Sequence, residues 1–558
     1  MPHDVLPLAA VAAAVAATTA RPPQAATPHV LAVDLGTSGC KTALVSLDGR
    51  VAAWAFEAVK LHVLPGGGAE QVPADWWNAF LVTARQVLAG SDVEPRRVVA
   101  VCCSCQGEGT VPVDREGRAL SNAILWMDMR GAPHVRRLAR GLVNVAGYDL
   151  LRLARWIRLT GGAPTLTGKD PAGHMLFVRD EWPDIYDRTH KFLAVGDYMN
   201  LRLTGRMVAT FDSILTSWVT DNRDPSDIRY HRGLLRGSGI DPGKFPDIVR
   251  CTDVVGTLLP AVAEELGLPP RTPVVAGSVD TTASAIGSGA IADCAPHLYI
   301  GTSSWIAAHV PFKKTDVTAA VASVPCAVPD RYLMIATQTS AGANLSFLRD
   351  HILFHHDELR GKDELLREEQ QPDVYKILDR IASRVPAGSR GLIYTPWLFG
   401  ERSPVEDRTL RAGLFNLSLE HSREDIIRAF LEGVAFNTRW LLQPVQRFLG
   451  RRVEALTMVG GGAASDVWCQ IFADVLDVRI RQLREPLQAN ALGAAYIAGV
   501  GLGLMKFDDV AARTGIRNEY LPQAAHRDVL DRTFAAFTDI HKRMAPLYRR
   551  LNADAAGN

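Results

Sequence analysis

The sequence predicts an α/β protein made of two duplicated domains that face each other across a central cleft. The first observation is a Gly-Thr-Ser run that occurs twice, at Gly36-Thr37-Ser38 and at Gly301-Thr302-Ser303, about half of the folded chain apart. Each copy ends one apolar strand pattern and begins another, which is typical of an internal duplication. The second observation is size, because 558 residues with 47% hydrophobic content suffice for two large domains with separate cores.

The predicted boundaries place one domain at residues 29–290 and the other at residues 291–545. Residues 1–28 are predicted to be a flexible extension, because no Lys or Arg precedes their Ala-rich segment as a signal peptide requires. Residues 546–558 are predicted to be a tail. The charged segment 351–379 is predicted to be a solvated, helix-prone insertion.

Charge and cysteine content argue against several classes of partner. A formal net charge of +1 gives no basic field, so neither nucleic acid nor an anionic membrane is expected to bind. The eight cysteines lack the paired spacing and the matching histidines of a zinc site. Buried thiols in a reducing cytoplasm are therefore expected.

The first Gly-Thr-Ser run is a candidate phosphate-binding turn. Its glycine lets backbone N–H groups approach an anion closely, and two hydroxyls stand beside it. Asp34, just before the turn, could hold Mg²⁺ through water, since Mg²⁺ usually keeps part of its hydration shell. A tight hairpin favours the same residues, so a purely structural turn is the alternative.

The stretch from Pro273 to Ser304 places a carboxylate near the second copy of this run. An apolar strand pattern is followed by Asp280 and a helix of small residues, and a further strand pattern leads into Gly301-Thr302-Ser303. Asp280 at a strand-to-helix turn could be a helix cap. Its closeness in sequence to a phosphate turn favours a catalytic carboxylate instead.

Candidate residues for a substrate pocket follow the buried strand pattern that ends at Cys105. Gln106 and Glu108 suit a polyhydroxylated ligand, because they offer several directional hydrogen bonds. Surface-loop polarity is the alternative for both. Trp126 and Asp128 complete the candidate set. The alternative for Trp126 is a position in the core, and the alternative for Asp128 is an ion pair with Arg130.

A second glycine-rich turn, Gly460-Gly461-Gly462-Ala463, stands between a strand pattern and an amphipathic helix. Such a turn at a helix N-terminus favours the approach of a phosphate or of an adenosine ribose to the backbone. Asn490 opens a further helix of small residues, for which tight packing is the structural explanation.

Several runs in a fixed order resemble the FGGY carbohydrate kinases, and among these the sequence is most similar to the xylulokinases. The runs are Glu70-Gln71-x-Pro73-x-Asp75-Trp76-Trp77, Ala123-Ile124-Leu125-Trp126-x-Asp128-x-Arg130, Asp197-Tyr198 with Leu203-Thr204-Gly205, Gly400-Glu401-Arg402-Ser403-Pro404, Leu431-Glu432-Gly433-Val434-Ala435-Phe436, Gly460-Gly461-Gly462-Ala463 and Ala491-Leu492-Gly493-Ala494-Ala495. Each is modest alone, whereas their succession is highly specific.

The resemblance implies two actin-like, ribonuclease H-like ATPase domains, with ATP and Mg²⁺ as cofactors. It implies phosphoryl transfer to a terminal hydroxyl, with Asp280 as general base and Asp34 holding hydrated Mg²⁺. The two Gly-Thr-Ser turns and Lys41 would bind phosphates, and the residues from Gly460 to Ala463 and Asn490 would lie at the adenosine. A cytoplasmic enzyme is expected, and a homodimer is one assembly open to it.

The acceptor is where the sequence departs from the xylulokinases. Glu108 stands where many of them carry the histidine of a Gly-Gln-Met-His-Gly run, and polyol kinases of the family carry an acid there. D-xylulose, converted to D-xylulose 5-phosphate, is the first expectation, and a polyol such as glycerol or erythritol is the alternative. A different class, an actin-like or chaperone-like ATPase acting on a protein partner, is disfavoured by the polar turn at Gln106.

Overall fold

A computed structural model describes residues 27–353 and 374–553 of the chain. Almost all of the predicted extension, the last part of the predicted tail and most of the charged segment 351–379 lie outside these ranges. Two mixed sheets organise the described residues, one in each half of the chain.

The first sheet has six strands and contains the first Gly-Thr-Ser turn. Its strands are β1 (His29–Gly36), β2 (Gly39–Ser46), β3 (Val51–Ala58), β4 (Val98–Cys105), β5 (Val254–Thr257) and β6 (Pro273–Val279). The spatial order is β5-β6-β4-β1-β2-β3. β1, β2 and β3 form an antiparallel meander, and the first Gly-Thr-Ser run joins β1 to β2, as the strand patterns on its two sides predicted. β4 runs parallel to both β1 and β6, and β5 is antiparallel to β6.

The second sheet has eight strands and repeats this topology. Its strands are β7 (Pro296–Ile300), β8 (Ser304–Val310), β9 (Thr315–Asp316), β10 (Val321–Pro325), β11 (Tyr332–Gln338), β12 (Ala455–Val459), β13 (Arg479–Leu483) and β14 (Ile516–Tyr520). The spatial order is β9-β10-β11-β8-β7-β12-β13-β14. β7, β8 and β11 correspond to the meander, β12 and β13 are the parallel strands, and β14 is the antiparallel edge. The predicted duplication is confirmed.

Helices cover both sheets and fill the connections between strands. They are α1 (Pro73–Ala89), α2 (Ala132–Ala139), α3 (Leu150–Thr160), α4 (Pro171–Glu181), α5 (Pro183–Arg188), α6 (Val195–Thr204), α7 (Arg232–Ser238), α8 (Pro260–Leu266), α9 (Asp280–Gly287), α10 (Gly342–Phe347), α11 (Val374–Ala382), α12 (Arg423–Leu449), α13 (Asp466–Leu476), α14 (Ala489–Gly501), α15 (Val510–Arg513) and α16 (Arg527–Leu551).

Short strands outside the two sheets complete the described structure. They are His62–Leu64, Gly68–Gln71, Val111–Val113, Ala123–Ile124, Asn144–Val145, Tyr148–Asp149, Lys191–Leu193, Val208–Thr210, Thr220–Asp221, Arg229–Tyr230, Asp247–Val249, Ile393–Thr395 and Gly413–Phe415. Over the described ranges, no helix has both the length and the apolar character needed to cross a bilayer.

The two halves meet where α9 crosses α14, and glycines permit this crossing. A Cβ atom on Gly287 would lie 1.8 Å from the carbonyl oxygen of Ala489, and one on Gly493 would lie 1.9 Å from that of Ala283. Only hydrogen fits at either position, so the two helix backbones are in direct contact. Because α9 begins at Asp280 and Asn490 lies in the first turn of α14, this crossing fixes two predicted site residues relative to each other.

Candidate active site

The turn between β1 and β2 is held by side chains from the predicted pocket. Thr37 Oγ1 donates a hydrogen bond to Gln106 Oε1 at 2.9 Å, and Trp126 Nε1 donates to Thr37 Oγ1 at 3.0 Å. Gln71 Nε2 donates to the Thr37 carbonyl oxygen at 2.8 Å, and its own Oε1 accepts from Gln106 Nε2 at 3.0 Å. The first Gly-Thr-Ser turn and the turn that carries Gln106 are therefore one hydrogen-bonded unit. Gln71 is a member of this unit that sequence reasoning placed only within a family motif.

Asp34, at the end of β1, connects the first half of the chain to the second. Its carboxylate accepts from Lys41 Nζ at 3.2 Å and from Asn490 Nδ2 at 3.1 Å. Lys41 Nζ also donates to the Leu487 carbonyl oxygen at 2.7 Å. Asn490 Oδ1 is buried and has no hydrogen-bond partner among the described residues. The structure thus brings three predicted cofactor residues together, with a free buried acceptor beside them.

Asp280 is the first residue of α9, directly after β6, which confirms the predicted strand-to-helix turn. Its side chain is half-buried. Burial, and next the negative charge of Asp34, raise the pKa of Asp280 to about 7, and the charge of Asp212 acts in the same direction. A carboxyl group with this pKa can accept a proton near neutral pH and release it again, as a general base must.

Asp212 is a buried carboxylate that contacts the turn before Asp280, and the sequence did not single it out. It accepts from the backbone N–H of Val279 at 3.1 Å, from Thr210 Oγ1 at 2.7 Å and from Cys251 Sγ at 3.4 Å. Because Val279 directly precedes Asp280, these bonds hold the turn that carries Asp280. No sequence pattern around Asp212 predicts its contact with Val279, which lies 67 residues farther along the chain.

Glu108 lies in the left-handed backbone region with φ of 59°. Burial, and next the charge of Asp170, raise the pKa of Glu108 to about 7. The charges of Arg402 and Lys169 act in the opposite direction, and that of Asp280 adds to the rise. Glu108, a predicted pocket residue, therefore interacts electrostatically with Asp280, the predicted base.

Asp128 lies in the interior and forms an ion pair with Arg130, which was the alternative to a position in the substrate pocket. It is 0% exposed and accepts from the backbone N–H of Ala69 at 2.8 Å. The Arg130 guanidinium donates to Asp128 at 2.7 Å and to Glu70 Oε1 at 2.6 Å. Trp126, in contrast, is 38% exposed and contacts the first Gly-Thr-Ser turn through Thr37.

The second Gly-Thr-Ser turn connects β7 and β8, as its strand patterns predicted. Gly301 N donates to the Ser303 carbonyl oxygen at 2.9 Å, which closes the turn. The N-terminus of α10 packs onto it, since Ala341 N donates to the Thr302 carbonyl oxygen at 2.8 Å. Gly342 N donates to the Gly301 carbonyl oxygen, also at 2.8 Å. The turn is thus fixed from behind by backbone contacts.

The turn from Gly460 to Ala463 packs against the same strand end. A Cβ atom on Gly460, where φ is 86°, would lie 2.6 Å from the Ile300 carbonyl oxygen. One on Gly462 would lie 2.3 Å from Ile300 Cγ2. Because glycine has no side chain, this turn can lie directly beside the second Gly-Thr-Ser turn. Two elements predicted to bind one nucleotide are therefore neighbours.

A dedicated metal cage is absent from the described part of the chain. No group of three or more His, Cys, Asp or Glu side chains there could hold a metal ion. Mg²⁺ that arrives with nucleotide phosphates needs only one or two carboxylates and keeps several waters. Asp34 and the unsatisfied Asn490 Oδ1 are oxygen donors that fit such an ion.

Family comparison covers most of the chain. Residues 29–287 match the N-terminal domain of the FGGY family of carbohydrate kinases, and residues 298–502 match its C-terminal domain. A xylulose kinase of Bacillus subtilis (strain 168) is 29% identical over 92% of this chain and 96% of its own. A gluconokinase of the same organism is 25% identical over 89% of this chain and 92% of its own.

Among solved structures, the xylulose kinase from Rhodospirillum rubrum superposes with a TM-score of 0.76 at 26% sequence identity. The match covers 93% of this chain and 99% of that one. It confirms the predicted fold of two actin-like ATPase domains. The chain therefore belongs to the FGGY family of carbohydrate kinases and is an ATP-dependent carbohydrate kinase.

Proposed function

We propose that the protein transfers the γ-phosphoryl group of ATP to a terminal hydroxyl of D-xylulose, giving D-xylulose 5-phosphate and ADP. The observation that carries the chemistry is Asp280, a half-buried carboxylate at the start of α9 with a pKa of about 7. Its neighbour Asp34 sits on the first phosphate turn. The choice of D-xylulose is supported by the xylulose kinases among the relatives.

In this mechanism, MgATP would supply the γ-phosphoryl group, and its Mg²⁺ would offset part of the negative charge of the phosphates. Asp280 accepts the proton of the acceptor hydroxyl while that oxygen bonds to the γ-phosphorus and the bond from the γ-phosphorus to the leaving oxygen of ADP breaks. Asp34 would hold the hydrated cation, and the two Gly-Thr-Ser turns would position the phosphates from opposite domains. Such transfers depend mainly on positioning and electrostatics, which is the part of the reaction that these rigid turns can supply.

A polyol such as glycerol or erythritol is the second candidate acceptor, and Glu108 is the observation that favours it. Its carboxylate can accept hydrogen bonds from two hydroxyl groups of one ligand. Its unusual backbone conformation and its shared electrostatic environment with Asp280 support a place beside the acceptor.

The direct test is ADP release with a panel of pentuloses, hexuloses and polyols, in wild type and in Asp280→Asn. We expect D-xylulose to give the highest kcat/KM and Asp280→Asn to abolish most of it. A higher kcat/KM for a polyol than for D-xylulose would identify that polyol as the preferred acceptor. No stimulation by any compound would favour an ATPase acting on a protein partner. Cytoplasmic location, a homodimer, the domain boundaries and the adenosine contacts of the Gly460 turn and Asn490 stay predictions.

A further inference from the structure

Glu401, in the second half of the chain, is a carboxylate buried without a cation. Its residue is 2% exposed. Among the residues that the structure describes, none of the ion pairs includes it. Burying a carboxylate in this way is costly unless hydrogen bonds replace the lost water. The stability of Glu401 in its position therefore depends on the hydrogen bonds that it accepts.

Three N–H groups donate to this carboxylate. Its Oε1 accepts from the backbone N–H groups of Thr339 and Arg402, each at 2.8 Å. Its Oε2 accepts from Asn437 Nδ2 at 2.5 Å. Burial raises the pKa of Glu401 to about 7, and these three bonds act against that rise. The ionised form fits this set of donors, because a carboxylate only accepts hydrogen bonds.

The indole of Trp397 fixes the direction in which the Asn437 amide points. Trp397 Nε1 can only donate, and it donates to Asn437 Oδ1 at 3.2 Å. The amide nitrogen of Asn437 therefore faces Glu401, and the amide cannot turn over without losing the bond to the indole. Both Trp397 and Asn437 are buried, so water does not replace a lost partner. Position 401 must therefore supply an acceptor to Asn437.

Gln338, the last residue of β11, joins this network to the strand that follows the second Gly-Thr-Ser turn. Its Nε2 donates to the Asn437 carbonyl oxygen at 2.7 Å. Its Oε1 accepts from Ser304 Oγ at 3.2 Å and from Thr438 Oγ1 at 3.3 Å. Ser304 directly follows the turn and begins β8. The helix α12, which carries Asn437 and Thr438, is thereby bonded to the end of the turn.

The segment after β11 joins the network to the turn itself. Thr339, which donates to the buried carboxylate, stands two positions before Ala341. Ala341 N and Gly342 N donate to the carbonyl oxygens of Thr302 and Gly301, each at 2.8 Å. A Cβ atom on Gly342 would lie 2.6 Å from the Gly301 carbonyl oxygen, so the two backbones are in direct contact. A displacement of Thr339 would therefore be passed to the turn over a few residues.

We propose that Glu401 is a positioning residue for nucleotide binding: it holds the second Gly-Thr-Ser turn through Thr339 on one side and through Asn437 and Gln338 on the other. This inference rests on the proposed function, in which that turn binds phosphates of ATP. Glu401 would act through these neighbours and not by contact with ATP. A glutamine would supply one acceptor oxygen to three N–H donors and would set its own NH₂ group against one of them.

The test exchanges the two polar groups across the bond between Glu401 and Asn437. ATP affinity is measured by calorimetric titration at about pH 8, above the pKa of Glu401. Glu401→Gln sets two amide NH₂ groups against each other and should weaken ATP binding roughly tenfold. Asn437→Asp sets two carboxylates against each other and should weaken it at least as much.

The double variant Glu401→Gln/Asn437→Asp should restore ATP binding. The amide at position 401 can then donate to the carboxylate at position 437, which still accepts from Trp397 Nε1. Every hydrogen bond of the network can form again with its direction reversed at one place. We expect an ATP affinity within about threefold of wild type, which is far from the sum of the two single effects. The KM of the acceptor should stay within about twofold of wild type in each variant.

Glu432→Gln is the matched control. Glu432 is a buried carboxylate of α12 that accepts from Gly388 N at 3.0 Å, from Ser389 Oγ at 2.8 Å and from Arg428 Nε at 2.7 Å. None of these partners belongs to β8, β11 or the turn. This variant should lower Tm and leave the ATP affinity unchanged.

Several results would overturn the inference. Wild-type ATP affinity in Glu401→Gln, or no recovery in the double variant, would refute it and leave the kinase proposal intact. Equal losses in Glu401→Gln and Glu432→Gln would reduce Glu401 to a role in stability. If Glu401→Gln does not fold, Ser304→Ala decides, because it removes only the hydroxyl group that bonds to Gln338. It should weaken ATP binding roughly threefold, and an unchanged affinity would refute the inference.

Failure of the proposed function gives a different result. Normal ATP binding by folded Gly301→Val would show that the second turn does not bind the nucleotide, whatever Glu401 does. Weakened binding in Gly301→Val together with wild-type binding in Glu401→Gln would refute the role of Glu401 alone.

Discussion

Gly493→Ala should loosen the contact between the two domains and misplace the base. The added Cβ would lie 1.9 Å from the Ala283 carbonyl oxygen, whereas real Cβ atoms essentially never approach closer than 3.0 Å. The two helices must therefore separate by about 1 Å, because the obstacle is backbone and cannot rotate away. α9, one of the two helices that must separate, begins with Asp280.

The size of both effects follows from this displacement. Overpacking of this kind costs about 1–3 kcal/mol. For a domain of 150–250 residues, that corresponds to a fall of about 2–12 °C in Tm. A shift of about 1 Å at a catalytic group can lower the rate roughly a hundredfold. We therefore expect a stable but slow enzyme.

Thermal unfolding and steady-state ADP release would measure the two effects in parallel. Gly237→Ala is the matched control, since a Cβ at that position of α7 has no atom within 4 Å. It should leave both Tm and kcat unchanged. If Gly493→Ala also kept the wild-type Tm and kcat, the crossing of α9 and α14 would not be what positions Asp280.

Four further predictions concern the site. Asp280→Asn should lower kcat by roughly 10²-fold or more with little change in ATP affinity, because it removes the proton acceptor and keeps the shape; a loss of only a few-fold would make Asp280 a helix cap. Gly301→Val should weaken nucleotide binding, since its Cβ would lie 2.5 Å from Tyr299 Cε1, and Gly36→Val should do so from the other domain; normal ATP binding by folded Gly301→Val would refute a clasp formed by both turns. Glu108→Gln should raise the KM of the true acceptor much more than that of ATP, and equal changes would place Glu108 outside the acceptor pocket. Because Asp280 must be ionised and its pKa is raised to about 7, kcat/KM should rise with pH through that region and fall about tenfold from its plateau by pH 6; Glu108, also near 7, should steepen this limb, and Glu108→Gln should restore a single-proton slope.

The sequence by itself determined the elements that depend on local chemistry. Strand periodicity and glycine-containing turns located both Gly-Thr-Ser hairpins, and their repetition located the duplication. The apolar run before Asp280 and the small residues after it predicted the strand-to-helix turn. Such features follow from φ and ψ preferences and from side-chain spacing within a few residues, so they are visible without any long-range contact.

Only the tertiary structure decided which distant groups meet. Asn490 reaches Asp34 across 456 positions, and Asp212 holds the turn before Asp280. The same folding buried Asp128 in an ion pair with Arg130. The physical reason is that hydrogen-bond partners, burial and electrostatic shifts depend on how α9, α14 and the two sheets pack, and a local pattern carries no information on that packing.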